Sequence, residues 1–212
     1  MRGIAFLTNL LVAAVLGTAL SAVTPARADD IEVTDARLSV TEDGAVILAA
    51  DFAFELNPRL AEVVTNGVPL YFVVEFELTR PRWYWFDEKA AAKRFQLRLS
   101  YHALSRHYRL STGVLQQNYA TLEEALNVLR RVRNWQVVDR SVGLADANYE
   151  AAVRIRLDSA LLPKPFQLSA LTSRDLNLES PWKRFTFRPP APVAPPGPAP
   201  VESRQPKEVE PK

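Results

Sequence analysis

The chain has 212 residues, no cysteine, one Met and 48% apolar side chains, a length that suits one packed domain and is short for two. It carries 26 basic and 24 acidic residues, but the only charges among the first 28 are Arg2 and Arg27, and without that segment the balance is 24 to 24. A neutral chain offers no bulk-charge footprint for nucleic acid. Absence of cysteine excludes a disulfide framework, a thiolate metal site, a Cys nucleophile and lipid attachment at a processed terminal Cys.

Residues 1–28 read as a cleaved secretory signal. Arg2 is followed by an apolar run over residues 4–23, interrupted by Thr8, Asn9, Thr18 and Ser21, and Ala26-Arg27-Ala28 precedes Asp29. This is the three-part order of an export signal. An apolar run of this length can also just span a bilayer, yet the polar interruptions, Pro25 and the acidic residues after Ala28 favour cleavage. The expectation is a periplasmic protein with no stable membrane anchor, the alternative being the inner membrane if the run is retained.

A period of two then dominates residues 29–188. Asp43-Gly44 marks a turn, after which Val46, Leu48, Ala50, Phe52 and Phe54 alternate with smaller or polar residues, predicting a strand buried on one face. Asn57-Pro58 caps a short helix that Asn66-Gly67 ends. Leu70, Phe72, Val74, Phe76 and Leu78 form a second alternating run, and Phe95, Leu97, Leu99 and Tyr101 a third. If residues 103–106 make a hairpin loop, His107 returns opposite His102. Thr121 and Glu124 form a capping box for a medium helix with Leu122, Ala125, Leu126, Leu129 and Val132 on one face. Tyr149, Ala151, Val153, Ile155 and Leu157 alternate again, and Phe185 and Phe187 close the domain as a short strand. The fold class is mostly β: an antiparallel β-sandwich, immunoglobulin-like in general architecture, with one short and one medium α-helix. From Pro189 onward the composition changes. Nine of the 16 prolines fall in residues 189–212, which predicts a disordered, extended tail.

Charge is segregated along the domain. Residues 29–79 hold 2 basic and 11 acidic residues, whereas residues 80–188 hold 19 basic and 10 acidic. Strand pairing between the halves, with Glu75 and Glu77 opposite arginines, is the plain reading; a basic face for lipid headgroups or a polyanionic glycan is the functional one.

Three features could carry chemistry. Arg80-Pro81-Arg82-Trp83-Tyr84-Trp85-Phe86-Asp87 is the densest. It reads either as a strand buried on both faces or as a site in which Trp83 and Trp85 contact a protein or stack on sugar rings, with Arg80 and Arg82 fixing anionic groups. These four are the candidate binding residues. His102 and His107 are weak metal candidates, because two ligands are too few and Arg98, Arg106 and Arg109 repel a cation. Glu75 and Glu77 share a strand face, as a glycosidase carboxylate pair would, but solvated positions on an outer face are the simpler account. No nucleophile elbow, H-E-x-x-H or glycine-rich phosphate loop is present. The expectation is therefore no enzyme, no cofactor and no metal, with a glycan-binding module or a His-centred enzyme or metal carrier as lesser alternatives.

The runs Phe54-Glu-Leu-Asn-Pro-Arg-Leu60, Gly67-Val-Pro-Leu-Tyr-Phe72 and Glu75-Phe-Glu-Leu-Thr-Arg-Pro-Arg-Trp-Tyr-Trp85, with Leu99-Ser-Tyr-His-Ala-Leu104, Leu162-Pro-Lys-Pro-Phe166 and Trp182-Lys-Arg-Phe185 further on, resemble a Gram-negative exported family catalogued as domain of unknown function 4390. The resemblance covers residues 31–188. It implies a signal peptide and, in some members, a proline-rich character. It also implies proximity to an envelope sensor histidine kinase of the nitrogen-regulation type, and hence an accessory role with that kinase as partner. It brings no catalytic residues.

Overall fold

The computed structural model describes residues 31–82, 84, 88–167, 176 and 178–190. The expected signal peptide, the tail beyond residue 190, and Trp83, Trp85, Phe86 and Asp87 lie outside the described residues. Within them, nine strands form two antiparallel sheets. The smaller sheet has the order β1 (Glu32–Val40), β2 (Val46–Ala53), β7 (Arg131–Val138). The larger runs β6 (Leu115–Tyr119), β5 (His107–Thr112), β4 (Glu88–His102), β3 (Leu70–Arg80), β8 (Tyr149–Leu157), β9 (Lys183–Phe187). Two α-helices, α1 (Pro58–Thr65) and α2 (Leu122–Leu129), two 3-10 turns (Arg140–Val142 and Ser159–Leu161) and a helical stretch at residues 164–167 complete the described architecture.

The alternating runs place one row of each strand in a single core. Leu70, Phe72, Val74, Phe76 and Leu78 of β3 pack with Leu48 and Ala50 of β2 and with Val153 and Ile155 of β8, all buried. Truncating a side chain such as Phe72 or Phe76 there would cost about 3–5 kcal/mol. Trp135 of β7 bridges the layers, its ring 6.4 Å from Phe76 and 5.4 Å from Phe95. Each edge of the small sheet is tied to the large one by a lysine. Lys183 Nζ donates to the Val33 and Thr34 carbonyls at 3.1 and 2.8 Å, and Lys93 Nζ donates to Asp139 Oδ2 at 2.9 Å.

Both helix starts are built as their sequences predict. Asn57 Oδ1 accepts the Leu60 N–H at 2.8 Å, with Pro58 at the first position. Thr121 Oγ1 accepts the Glu124 N–H at 3.2 Å, while the Glu124 carboxylate accepts the Thr121 N–H at 3.4 Å. Gly67, at φ +88°, turns the chain after α1.

The medium helix, however, is short. It ends at Leu129, and Val132 belongs to β7. The Arg130 carbonyl accepts the Phe52 N–H at 2.8 Å, so the backbone passes from the last helical turn directly into pairing with β2. The i, i+3 spacing of Leu129 and Val132 matches a helical face, but each is buried from a different element. Asn134, at φ +54°, supplies the extra residue of a bulge between the pairs Leu48–Trp135 and Ala50–Val132, a left-handed position that Asn tolerates. Strands β1 and β6 lack a continuous buried row, Val33 being the only fully buried residue of β1.

The run 80–87 is not a continuous strand. β3 stops at Arg80, Pro81 and Arg82 are exposed, and Tyr84 lies in an exposed turn. Pro81 cannot donate to the ladder, and the β3–β4 connection begins there.

Candidate functional site

The two sequence-derived sites are at opposite ends of β4. Arg80 and Arg82 adjoin its start at Glu88, and His102 is its last residue, a separation of about 48 Å at the antiparallel strand rise. Arg82 is ion-paired with Glu88. The structure therefore does not bring Arg80 and Arg82 together with the histidines.

His102 and His107 do face one another as register partners. Their Nδ1 atoms both turn inward to the loop. The Ser105 N–H donates to His102 Nδ1 at 3.3 Å, the Ser105 hydroxyl lies 3.0 Å from the same atom, and His107 Nδ1 donates to the Ser105 carbonyl. The hairpin loop thereby holds both rings. Among the described residues no group of three or more His, Cys, Asp or Glu side chains converges as metal ligands.

Glu75 departs from expectation. It is 5% exposed rather than solvated, because its neighbours on both sides of β3 close over it. Arg154 of β8 donates from Nε at 2.7 Å and lies 2.6 Å away through Nη2, Arg94 of β4 stands at 3.1 Å, and Arg156 at 3.6 Å. The Trp182 ring stacks 4.6 Å from the Arg154 guanidinium, whose Nη1 also meets Glu179. Burial pushes the Glu75 pKa up, but the Arg154 hydrogen bond and the charges of Arg154, Arg156 and Arg94 outweigh it and hold the carboxyl below its ordinary value. Glu77 is paired with Lys89 at 2.8 Å. A glycosidase acid needs a raised pKa, so Glu75 is set in the opposite sense. The charge blocks of the sequence do meet here, and again where Arg133 pairs with Asp51 at 2.5 Å.

Along the same outer face, past Arg94, β4, β5 and β6 carry no further ion pair among the described residues. Arg98 lies over the Tyr71 ring at 5.8 Å, and Arg109 donates to Asn118 Oδ1 at 3.2 Å. Ser100, Ser111, His102 and His107 fill the intervening register positions. The only carboxylate in β4, β5 and β6 is Glu88, at the far end of β4.

The opposite face of these strands carries a feature with no sequence signal. The large sheet overhangs the small one, and between β4, β5, β6, α2 and β7 an open groove of about 450 Å³ is lined by Phe95, Leu97, Leu110, Leu115, Val128 and Val132. Arg131 and Arg133 stand on its rim and also border an adjoining polar cleft of about 420 Å³ that includes Asp51 and Arg130. Only the pairing of two sheets of unequal width creates it. Leu115, from a strand without apolar periodicity, is 68% exposed there.

Fold and surface together define a two-layer antiparallel β-sandwich with a carboxylate clamped in its wide sheet and an arginine-rimmed apolar groove beside its narrow one. The family model described as Domain of unknown function (DUF4390) matches residues 28–186, and the chain belongs to that family. Comparisons with curated proteins and with solved structures give no match.

Proposed function

We propose that the chain is an exported, non-enzymatic accessory protein of the cell envelope that binds another envelope protein, with the sensor region of a membrane histidine kinase as the expected partner. The groove beside β7 is the observation that carries this reading. Its apolar floor is open to solvent at Leu115 and Val128, and its rim carries Arg131 beside the Arg133–Asp51 pair. That chemistry fits a partner segment whose apolar side chains enter the groove while a carboxylate meets Arg131. The clamped, ionised state of Glu75 supports a binding role over acid–base catalysis. The signal-like residues 1–28 support export, and amino-terminal sequencing of protein isolated from the envelope should begin at Asp29.

The test is a photo-crosslinker placed at position 128 in cells, with and without residues 189–212. Recovery of the kinase, abolished by Leu115→Asp, is the expected result. Recovery of nothing specific, or crosslinking that Leu115→Asp leaves unchanged, would overturn the reading.

A further inference from the structure

The loop between β4 and β5 exposes an apolar side chain at the end of a cationic face. Leu104 is 93% exposed, and nothing in the core requires a leucine there. The loop that presents it is firmly held. The Arg106 N–H donates to the His102 carbonyl at 2.8 Å, with Arg106 at φ +56°, a left-handed position uncommon for a residue other than glycine. Ser105 engages both histidine rings. One step further in, the Tyr101 and Tyr108 rings pack 4.9 Å apart, and the Tyr108 hydroxyl lies 3.0 Å from Thr65 Oγ1 of α1. Leu104 is thus carried on a braced projection.

Behind the tip the charge is of one sign. Arg106 lies in the loop, and Arg109 and Arg98 follow on the outer face with no carboxylate partner on either among the described residues. The acidic residues that follow β6 are engaged elsewhere, Glu123 with Arg130 at 2.6 Å and Glu124 in the capping box of α2. In the rest of the same sheet face, by contrast, Arg94, Arg154, Arg156 and Arg184 all have acidic partners.

We infer that the β4–β5 hairpin docks on an anionic lipid surface, with Leu104 entering the acyl boundary and Arg98, Arg106 and Arg109 lying against the phosphates. The apolar tip decides between a lipid surface and a polyanionic glycan. A glycan would be bound by the arginines alone and would leave Leu104 in water, whereas a bilayer interface accepts both. Each arginine near an anionic surface contributes about fivefold in partitioning, so three give roughly a hundredfold preference for anionic over neutral vesicles. One leucine and three arginines make a reversible, peripheral attachment. It stands whether or not the groove beside β7 takes a protein partner, since the two surfaces share no residue.

The test uses the purified mature chain with vesicles of phosphatidylglycerol and phosphatidylcholine, or of phosphatidylcholine alone. Co-sedimentation with the anionic vesicles only, weakened by added salt, is expected. Arg109→Ala should weaken it about fivefold and Arg109→Glu about 25-fold. Leu104→Asp should weaken it at least tenfold while leaving the circular dichroism unchanged, because the side chain it replaces contacts solvent. An environment-sensitive dye at position 104 should shift to the blue on anionic vesicles. Absence of co-sedimentation would overturn the proposal. So would loss with Arg109→Glu but full retention with Leu104→Asp, the pattern of a polyanion site. Leu115→Asp should leave vesicle binding intact, which separates failure of the hairpin from failure of the groove.

Discussion

The outer face of the wide sheet has two halves that share strand β4 and differ in what their arginines do. On the β3–β8 half, Arg94, Arg154 and Arg156 converge on Glu75, with Trp182 stacked over Arg154. On the β5–β6 half, Arg98 and Arg109 face Tyr71 and Asn118. Both halves are arginine-rich in sequence, and the strand that each arginine neighbours separates them. Arg94 is the register partner of Glu75, Arg98 that of Tyr71. One half spends its charge on holding the sheet together, and the other leaves its charge facing outward. The consequences for stability and for binding should therefore be opposite.

The largest expected effect is on the clamped half. Glu75→Gln keeps the shape of the side chain but leaves Arg154 and Arg156, both about three-quarters buried, without their central counter-charge. Removing one member of a buried ion-pair network is strongly destabilising. Because Arg94 is largely exposed and can return to water, we expect a loss of about 2–3 kcal/mol, or a fall in Tm of roughly 5–10 °C. Thermal and urea unfolding of the variant would measure it. A change under half a kilocalorie would mean that the two halves do not differ.

Acid should reproduce that loss in the native chain. The folded Glu75 carboxyl titrates below its ordinary value of 4.5, so the unfolded chain takes up the proton first. Its contribution is complete above the unfolded pKa and disappears as pH falls through the folded one. Stability should drop below about pH 4.5, and the gap between native protein and Glu75→Gln should close over the same range. Urea titrations at a series of pH values give this directly. A gap of constant size down to strong acid would sink the assignment.

Trp182→Ala tests the outermost layer of the clamp. A ring stacked on a guanidinium that is itself paired contributes about 1 kcal/mol, and the loss should be smaller in a Glu75→Gln background, where Arg154 is no longer held in place. A double-mutant cycle in urea measures the coupling. Strict additivity would show that Trp182 acts independently of the carboxylate.

Much of this architecture was legible in residue order. The cores of β2, β3 and β8 announced themselves because one face of each is apolar throughout, and both helix starts were readable because Asn57-Pro58 and Thr121–Glu124 carry their own caps. The rest depended on partners. β1 and β6 are edge strands with mostly exposed side chains, so no apolar row marks them. β7 was hidden because Leu129 and Val132 are spaced as one helical face, and the Arg130–Phe52 hydrogen bond shows that the helix has ended between them. Glu75 looked like a solvated residue because burial on an outer face comes from side chains on β4 and β8, distant in sequence. The groove was invisible for the same reason: its lining comes from five elements, and it exists only where the sheets differ in width.

The smallest expected effect on stability is the most discriminating for function. Arg98 and Arg109 are diagonal neighbours across β4 and β5, about 7–8 Å apart by sheet geometry, and each exerts repulsion on the other with no carboxylate among the described residues paired to either. Arg109→Glu would turn this repulsion into an attraction, so stability should be unchanged or should rise by a few tenths of a kcal/mol. Vesicle binding, in the same variant, should fall by more than an order of magnitude. A substitution that strengthens the fold while removing an interaction marks a residue kept for contact rather than for packing. Urea unfolding and vesicle sedimentation on one preparation measure both quantities. If Arg109→Glu instead destabilises the protein as Glu75→Gln does, the second half of the sheet face is a clamp too, and its outward charge has no separate role.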